Sequence, residues 1–133
     1  MIKKILIVFV IIIFIFSLFR YLSKKDESSK KIELTYEINA GIPFRWEYEI
    51  EDESIVKFEK SYVIKDENKG GNVGAKVYTN YVFKGLKKGT TTITFKFVNF
   101  TNNQIVKEEK NIVKVDNNLN ISLVGIPVKN KKE

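Results

Sequence analysis

"FKGLKKGTTTITFKF", Phe83 to Phe97, decides the fold. In its second half Ile93, Phe95 and Phe97 alternate with Thr94 and Lys96, the two-residue period of a strand with one wet face. In its first half Phe83 completes the set Val77, Thr79 and Tyr81, and between the halves Gly85, Leu86 and Gly89 punctuate a turn. Working outward, the same period recurs in Ile32, Leu34, Tyr36 and Ile38, in Trp46, Tyr48 and Ile50, in Val56 and Phe58, in Tyr62 and Ile64, and in Val113 and Val115. β-Branched and aromatic residues fill these runs, and nothing beyond Lys31 sustains a helical period. About seven short strands in roughly 100 residues predict an all-β immunoglobulin-like sandwich.

Ahead of it stands "ILIVFVIIIFIFSLF", Ile5 to Phe19, with Lys3 and Lys4 before it and Arg20, Lys24 and Lys25 after it. A helix of this length spans about 22 Å, short of a hydrocarbon core of about 30 Å, and snorkelling Lys4 and Arg20 with interfacial Tyr21 and Leu22 close the gap. Phe19, Arg20, Tyr21 and Leu22 offer no small-x-small cleavage site, and there is no Cys to lipidate. The expectation is an uncleaved single-pass anchor in the cell membrane, in contact with the bilayer through residues 5–22, with the domain outside the cytoplasm. A removed signal peptide, and hence a secreted domain, is the alternative. The expected organisation is an anchor over 1–22, a charged linker over 23–31, a sandwich over 32–128 and a charged tail over 129–133.

The chain of 133 residues has room for one domain and carries a formal charge of +7. Five of the basic residues lie in the first 25, which hold no acid, so the remainder is close to neutral, with bases and acids alternating along strands. That distribution argues against a nucleic-acid partner. The absence of Cys and His removes thiol nucleophiles, imidazole bases, disulfides and ordinary zinc sites. No metal, cofactor or catalytic role is expected, and the domain is expected to be monomeric. Glu47 with Glu49, and Glu108 with Glu109, read as solvated charge on exposed strand faces, and Asp66, Glu67 and Asn68 supply too few spaced oxygens for calcium.

Loops fall at 39–44, 51–54, 66–75, 84–90 and 99–104. If each strand crosses the sandwich once, loops 39–44, 66–75 and 99–104 share one end, facing away from the membrane, and the other two share the opposite end. At the shared end "NAGIPF" is a turn with an apolar tip. Asn39 and Gly41 offer Asx-turn and positive-φ geometry, Pro43 fixes its own φ and extends Ile42, and Phe44 follows. Its neighbours are the Gly-rich "KGGNVGA" and "VNFTNN" with Phe100. Phe44 and Phe100 read either as a wedge for a cleft or as caps folded onto the core.

From Ile32 to Val115 the chain resembles the chagasin-like inhibitors of papain-type cysteine proteases. In that family three loops of an immunoglobulin-type sandwich carry an Asn-Pro-Thr-Thr-Gly-Tyr motif with a Trp shortly after, a Gly-x-Gly-Gly motif and an Arg-Pro-Trp motif. Here Asn39, Ala40, Gly41, Ile42, Pro43 and Phe44 fall where the first lies, with Trp46 spaced as the family's Trp and read as structural. Gly70, Gly71, Asn72, Val73 and Gly74 fall near the second, and Val98, Asn99 and Phe100 near the third. Pro43 stands where Gly is usual, and the third loop has neither the Arg nor the Pro. The resemblance implies reversible occlusion of a papain-like cysteine protease by these three loops, the first against the region of the catalytic Cys. The competing reading is a non-inhibitory immunoglobulin-like surface module serving adhesion or envelope assembly, which uses the same Gly-Leu-x-x-Gly-Thr turn but leaves the stiff apolar tip unexplained.

Overall fold

A computed structural model describes residues 1–65, 76–125 and 128–131. The chain forms two compact units, Met1–Lys30 and Lys31–Glu133. The first is helix α1, Ile2–Ser29. Its apolar stretch, Ile2–Lys24, has 23 residues, a mean hydropathy of 2.9 and no buried share, and is long and apolar enough to cross a membrane. At 1.5 Å per residue it covers about 34 Å, so Tyr21 to Lys24 make up the length that residues 5–19 lack. Arg20 folds its guanidinium back over the Phe16 ring, 5.5 Å from the centroid, which is how a cation beside an apolar span keeps its stem dry and its head wet. The charged stretch expected as a linker is helical through Ser29. Its Lys and Glu are good helix formers, and the helix closes in a tight turn in which the Lys30 N–H donates to the Glu27 carbonyl (3.3 Å).

Among the described residues the second unit has eight strands: β1 Lys31–Asn39, β2 Phe44–Ile50, β3 Val56–Lys65, β4 Lys76–Gly85, β5 Gly89–Asn99, β6 Gln104–Val115, β7 Ile121–Leu123 and β8 Val128–Lys131. One sheet has the order β1-β4-β3, the other β2-β5-β6-β7, with β8 also on β6; every pairing is antiparallel. The expected sandwich is therefore present, with two particulars the sequence pattern missed. The Gly85–Gly89 turn joins β4 and β5 across the two sheets rather than as a hairpin within one. Lys129 to Lys131, expected in a charged tail, pair with Glu109 to Lys107 and complete the edge that β7 begins.

Register settles which loops share an end of this unit. Lys31 pairs with Lys84 and Asn39 with Lys76; Phe44 pairs with Asn99 and Lys65 with Val77. Turns 40–43 and 100–103, with the ends of β3 and β4 that flank 66–75, therefore lie at one end. The turns at 51–55, 86–88 and 116–120 lie at the other, where Lys31 enters.

The core is densest at that entry end, where Val56, Phe83, Ile93, Val113 and Val115 are fully buried with Phe95 above them. Gly85 is required there for space: a Cβ would sit 2.8 Å from the Leu119 carbonyl oxygen and 3.0 Å from Val115 Cγ1. On β3 a bulge between Phe58 and Lys60 shifts the register, so Tyr62 and Ile64 leave the inward face that Val56 and Phe58 occupy. Tyr62 is half-exposed and its hydroxyl donates to Glu33 (2.8 Å) and accepts from the Asn80 amide (2.9 Å) on the outer surface.

Candidate functional site

The first loop is anchored by the strand that leaves it. Phe44, Trp46 and Tyr48 share the inward face of β2, and their rings form one aromatic array with both sheets. Phe44 stacks on Phe97 (centroids 5.1 Å, 17°), Trp46 lies against Phe97 (4.9 Å) and Tyr36 (4.5 Å), and Tyr36 stacks on Phe95 (4.0 Å, 20°). Such offset and tilted pairs hold each ring by area and by quadrupole. Half-buried Trp46 is fixed further: its indole N–H donates to the Glu37 carbonyl (2.9 Å), and the Lys107 ammonium sits 5.2 Å over its ring. Phe44 is therefore the first residue of β2 and a support for the turn, rather than its tip.

What projects is Ala40, Gly41, Ile42 and Pro43. Gly41 takes φ 86°, the left-handed geometry the turn requires, and it does so with open space where a Cβ would lie. Among the described residues the Asn39 carboxamide makes no hydrogen bond, so the Asx turn expected of it is not formed. Ala40 and Pro43 are exposed and Ile42 is half-buried.

The third loop is built differently. The Asn99 side-chain oxygen accepts from the Thr101 N–H (2.9 Å) and hydroxyl (2.6 Å), and the Asn102 side-chain oxygen accepts from the Gln104 N–H (3.0 Å). Asn103 takes φ 59° to close the turn. Phe100 stands at its apex, 49% exposed, and its N–H donates to the Pro43 carbonyl (3.0 Å). That bond joins the two loops. Val98, expected to face a partner, is 5% exposed inside β5. The register slip between Phe97 and Val98 adds Val106 on the β6 side; β5 itself stays in step with β2, where Val98 pairs with Arg45, so Val98 is buried on the face opposite Phe97. Gly70, Gly71, Asn72, Val73 and Gly74, like Asp66, Glu67 and Asn68, lie outside the described residues.

The acids behave as solvated charge with one exception. Glu47 pairs with Arg45 (2.6 Å), Glu49 with Lys96 (2.7 Å) and Glu108 with Lys110 (3.8 Å). The Lys96 ammonium draws the Glu49 carboxyl below its ordinary value by hydrogen bond and charge, the mark of a committed ion pair rather than of a general acid. Glu109, expected on an exposed face, is instead buried. It accepts from the Tyr36 hydroxyl (3.2 Å), which accepts in turn from the Asn111 amide (2.8 Å). Burial raises the Tyr36 hydroxyl well above the ordinary tyrosine value, so it stays protonated and donating. Among the described residues no cluster of His, Cys, Asp or Glu could hold a metal ion.

The sandwich thus presents, at one end, two turns fixed from below by aromatic rings and to each other by a backbone bond. The chagasin family peptidase inhibitor I42 matches residues 27–123. The crystal structure of the cysteine protease inhibitor EhICP2 from Entamoeba histolytica is similar at 22% identity and a TM-score of 0.44, over 50% of this chain and 60% of that one, so the chain spans somewhat under two thirds of that protein. No curated protein matches the chain. With the family match running from the end of α1 through β7, across both sheets and both described loops, the chain belongs to the chagasin family of peptidase inhibitors.

Proposed function

We propose that the chain is a membrane-tethered, reversible inhibitor of papain-like cysteine proteases, acting as a monomer outside the cytoplasm and plugging the active-site cleft with the end of the sandwich that carries loops 40–43 and 100–103. The carrying observation is the Phe100 N–H to Pro43 carbonyl bond, because it brings the exposed Phe100 ring and the half-buried Ile42 tip together in one ridge. Ile42 and Phe100 are the anchors that enter the cleft, and Ala40, Gly41 and Pro43 close around them; the Gly-rich stretch Gly70 to Gly74 contacts the protease beside them. Order already present in the free inhibitor lowers the entropic cost of binding, and a few desolvated apolar side chains carry most of an interface's energy. Pro43 adds a second advantage: the Ile42–Pro43 bond has no N–H and a ring on its leaving nitrogen, so the ridge is a poor substrate. Phe44 and Trp46 act beneath the ridge as its foundation.

The tether is α1, whose apolar stretch meets the length and composition of a span and has no face that its own unit buries. The test is titration of papain by the full chain in detergent micelles, with a fluorogenic peptide as reporter. Ile42→Ala combined with Phe100→Ala is expected to weaken inhibition by about 2 kcal/mol or more, roughly thirtyfold, with thermal stability nearly unchanged. No inhibition of papain-like enzymes at micromolar concentration would instead favour a surface module. Sodium carbonate extraction of native membranes tests the tether, and recovery of the chain in the soluble fraction with an amino terminus between Leu22 and Lys31 would replace anchoring by secretion.

A further inference from the structure

We infer that the first and third loops work as one clamped unit and that Asn99 is its positioning residue, holding the third turn so that the Phe100 N–H reaches the Pro43 carbonyl, rather than a residue that touches the protease. Three observations meet at this position. Asn99 is the last residue of β5 and pairs in register with Phe44, the first of β2, so both loops spring from the same rung of the ladder. Its side-chain oxygen is occupied twice, by the Thr101 N–H and the Thr101 hydroxyl, and is committed to shaping the turn. The residue between these two, Phe100, then donates to Pro43, so the Asx turn orients both the Phe100 ring and the N–H that fastens the first loop.

The first loop has little else to hold it between its ends. Gly41 is flexible by nature, Asn39 does not cap the turn, and no strand pairing reaches residues 40–43. A loop with one cross-loop bond loses most of its restraint when that bond loosens. Loss of the Asn99 acceptor therefore releases Ile42 as well as Phe100, although Ile42 sits on a different turn.

For its protease arm this inference rests on the inhibitory reading; its hydrogen-exchange arm does not. In the full chain in detergent micelles at pH 7, Asn99→Ala is expected to speed deuterium uptake by about fivefold or more in peptides covering both 40–44 and 98–103. It should raise the inhibition constant against papain about tenfold while shifting Tm by less than about 2 °C, because loop order rather than the core is lost. Asn99→Asp, which keeps the acceptor, should restore both readouts. Ile42→Ala should weaken inhibition with exchange in 98–103 unchanged. Faster exchange confined to 98–103, an Asn99→Asp variant that behaves like Asn99→Ala, or a loss of inhibition matched by a fall in Tm would each overturn the clamp. If the parent chain fails to inhibit papain, the inhibitory reading falls while the exchange comparison still decides the clamp.

Discussion

The two ends of the sandwich are filled by different chemistry. At the end where Lys31 enters, the interior is wholly apolar, with Phe83, Val56, Ile93, Val113 and Val115 all fully buried and the Phe58 ring against Phe83. Toward the opposite end the same inward positions become Tyr36, Trp46, Phe97, Glu109, Asn111 and Lys107, partly exposed or hydrogen-bonded. β6 makes the change in one strand: Val115 and Val113 are followed, two residues at a time, by Asn111, Glu109 and Lys107. The entry end supplies stability through area removed from water; the loop end supplies orientation through stacking and directional bonds. A binding end must leave apolar groups exposed, and it can do so without unravelling because a dense core lies behind it.

The sharpest way to break this contrast is to cut each half at its largest ring. Phe83→Ala should destabilise the domain by about 3 to 5 kcal/mol in chemical denaturation, since it empties a fully enclosed site flanked edge-on by Tyr48, Phe58 and Phe95. Trp46→Ala, which removes a half-buried ring with two aromatic neighbours and one hydrogen bond, should cost less, about 2 kcal/mol, yet weaken inhibition more. Equal costs, or undiminished inhibition by Trp46→Ala, would show that the two halves are not specialised.

Much of this was legible in the sequence. Alternation places the inward residues of β1, β2, β4 and β5, and counting strand crossings puts turns 40–43 and 100–103 at one end, as the register does. The alternation also carries two further signals. Phe44 is in phase with Trp46 and Tyr48, which makes it a strand residue, and Glu109 is in phase with Val113 and Val115, which makes it an inward one. Bulges are not legible: the slip after Phe58 reverses the facing of Tyr62 and Ile64, the slip opposite Phe97 and Val98 adds Val106 to β6, and no residue type there announces either. The bond from Phe100 to Pro43 was beyond reach as well, because it joins backbone atoms whose approach depends on how the sheets pair.

A gentler probe of the loop end is alkali. Burial raises the Tyr36 hydroxyl above its ordinary value of 10.0, so the unfolded chain ionises before the folded one. The stability this represents is intact below pH 10.0 and is lost as pH rises above it. Tyr36→Phe should flatten that decline without abolishing it, because burial also raises Tyr81 and Tyr48. At neutral pH the same change should cost about 1 to 2 kcal/mol, since it strips Glu109 and Asn111 of a shared partner in the interior. An unchanged alkaline slope would mean that Tyr36 ionises freely in the folded chain.

The smallest expected effect separates the turns themselves, which use one device with two different side chains. At the entry end the acceptors are carboxylates: Asp52 takes the Ser54 N–H (2.9 Å) and hydroxyl (2.5 Å), and Asp116 takes the N–H groups of Asn118 (2.8 Å) and Asn120 (2.9 Å). At the loop end they are the neutral amides of Asn99 and Asn102. Hydrogen bonds from Ser54 and from Asn120 draw Asp52 and Asp116 below their ordinary value of 3.8, so what they contribute is present above that pH and fades as pH falls through their lowered values. Amides do not titrate in this range. Deuterium uptake, corrected for intrinsic rates, should therefore rise in 51–55 and 116–120 as acid is added, with 98–103 unmoved and inhibition by the loop end independent of the inhibitor's own protonation. Asp116→Asn should remove the acid response from its turn, and Asn99→Asp, competent at pH 7, should install one at the top. If 98–103 of the parent chain loosens in acid alongside the lower turns, the difference between amide and carboxylate is not what distinguishes the two ends.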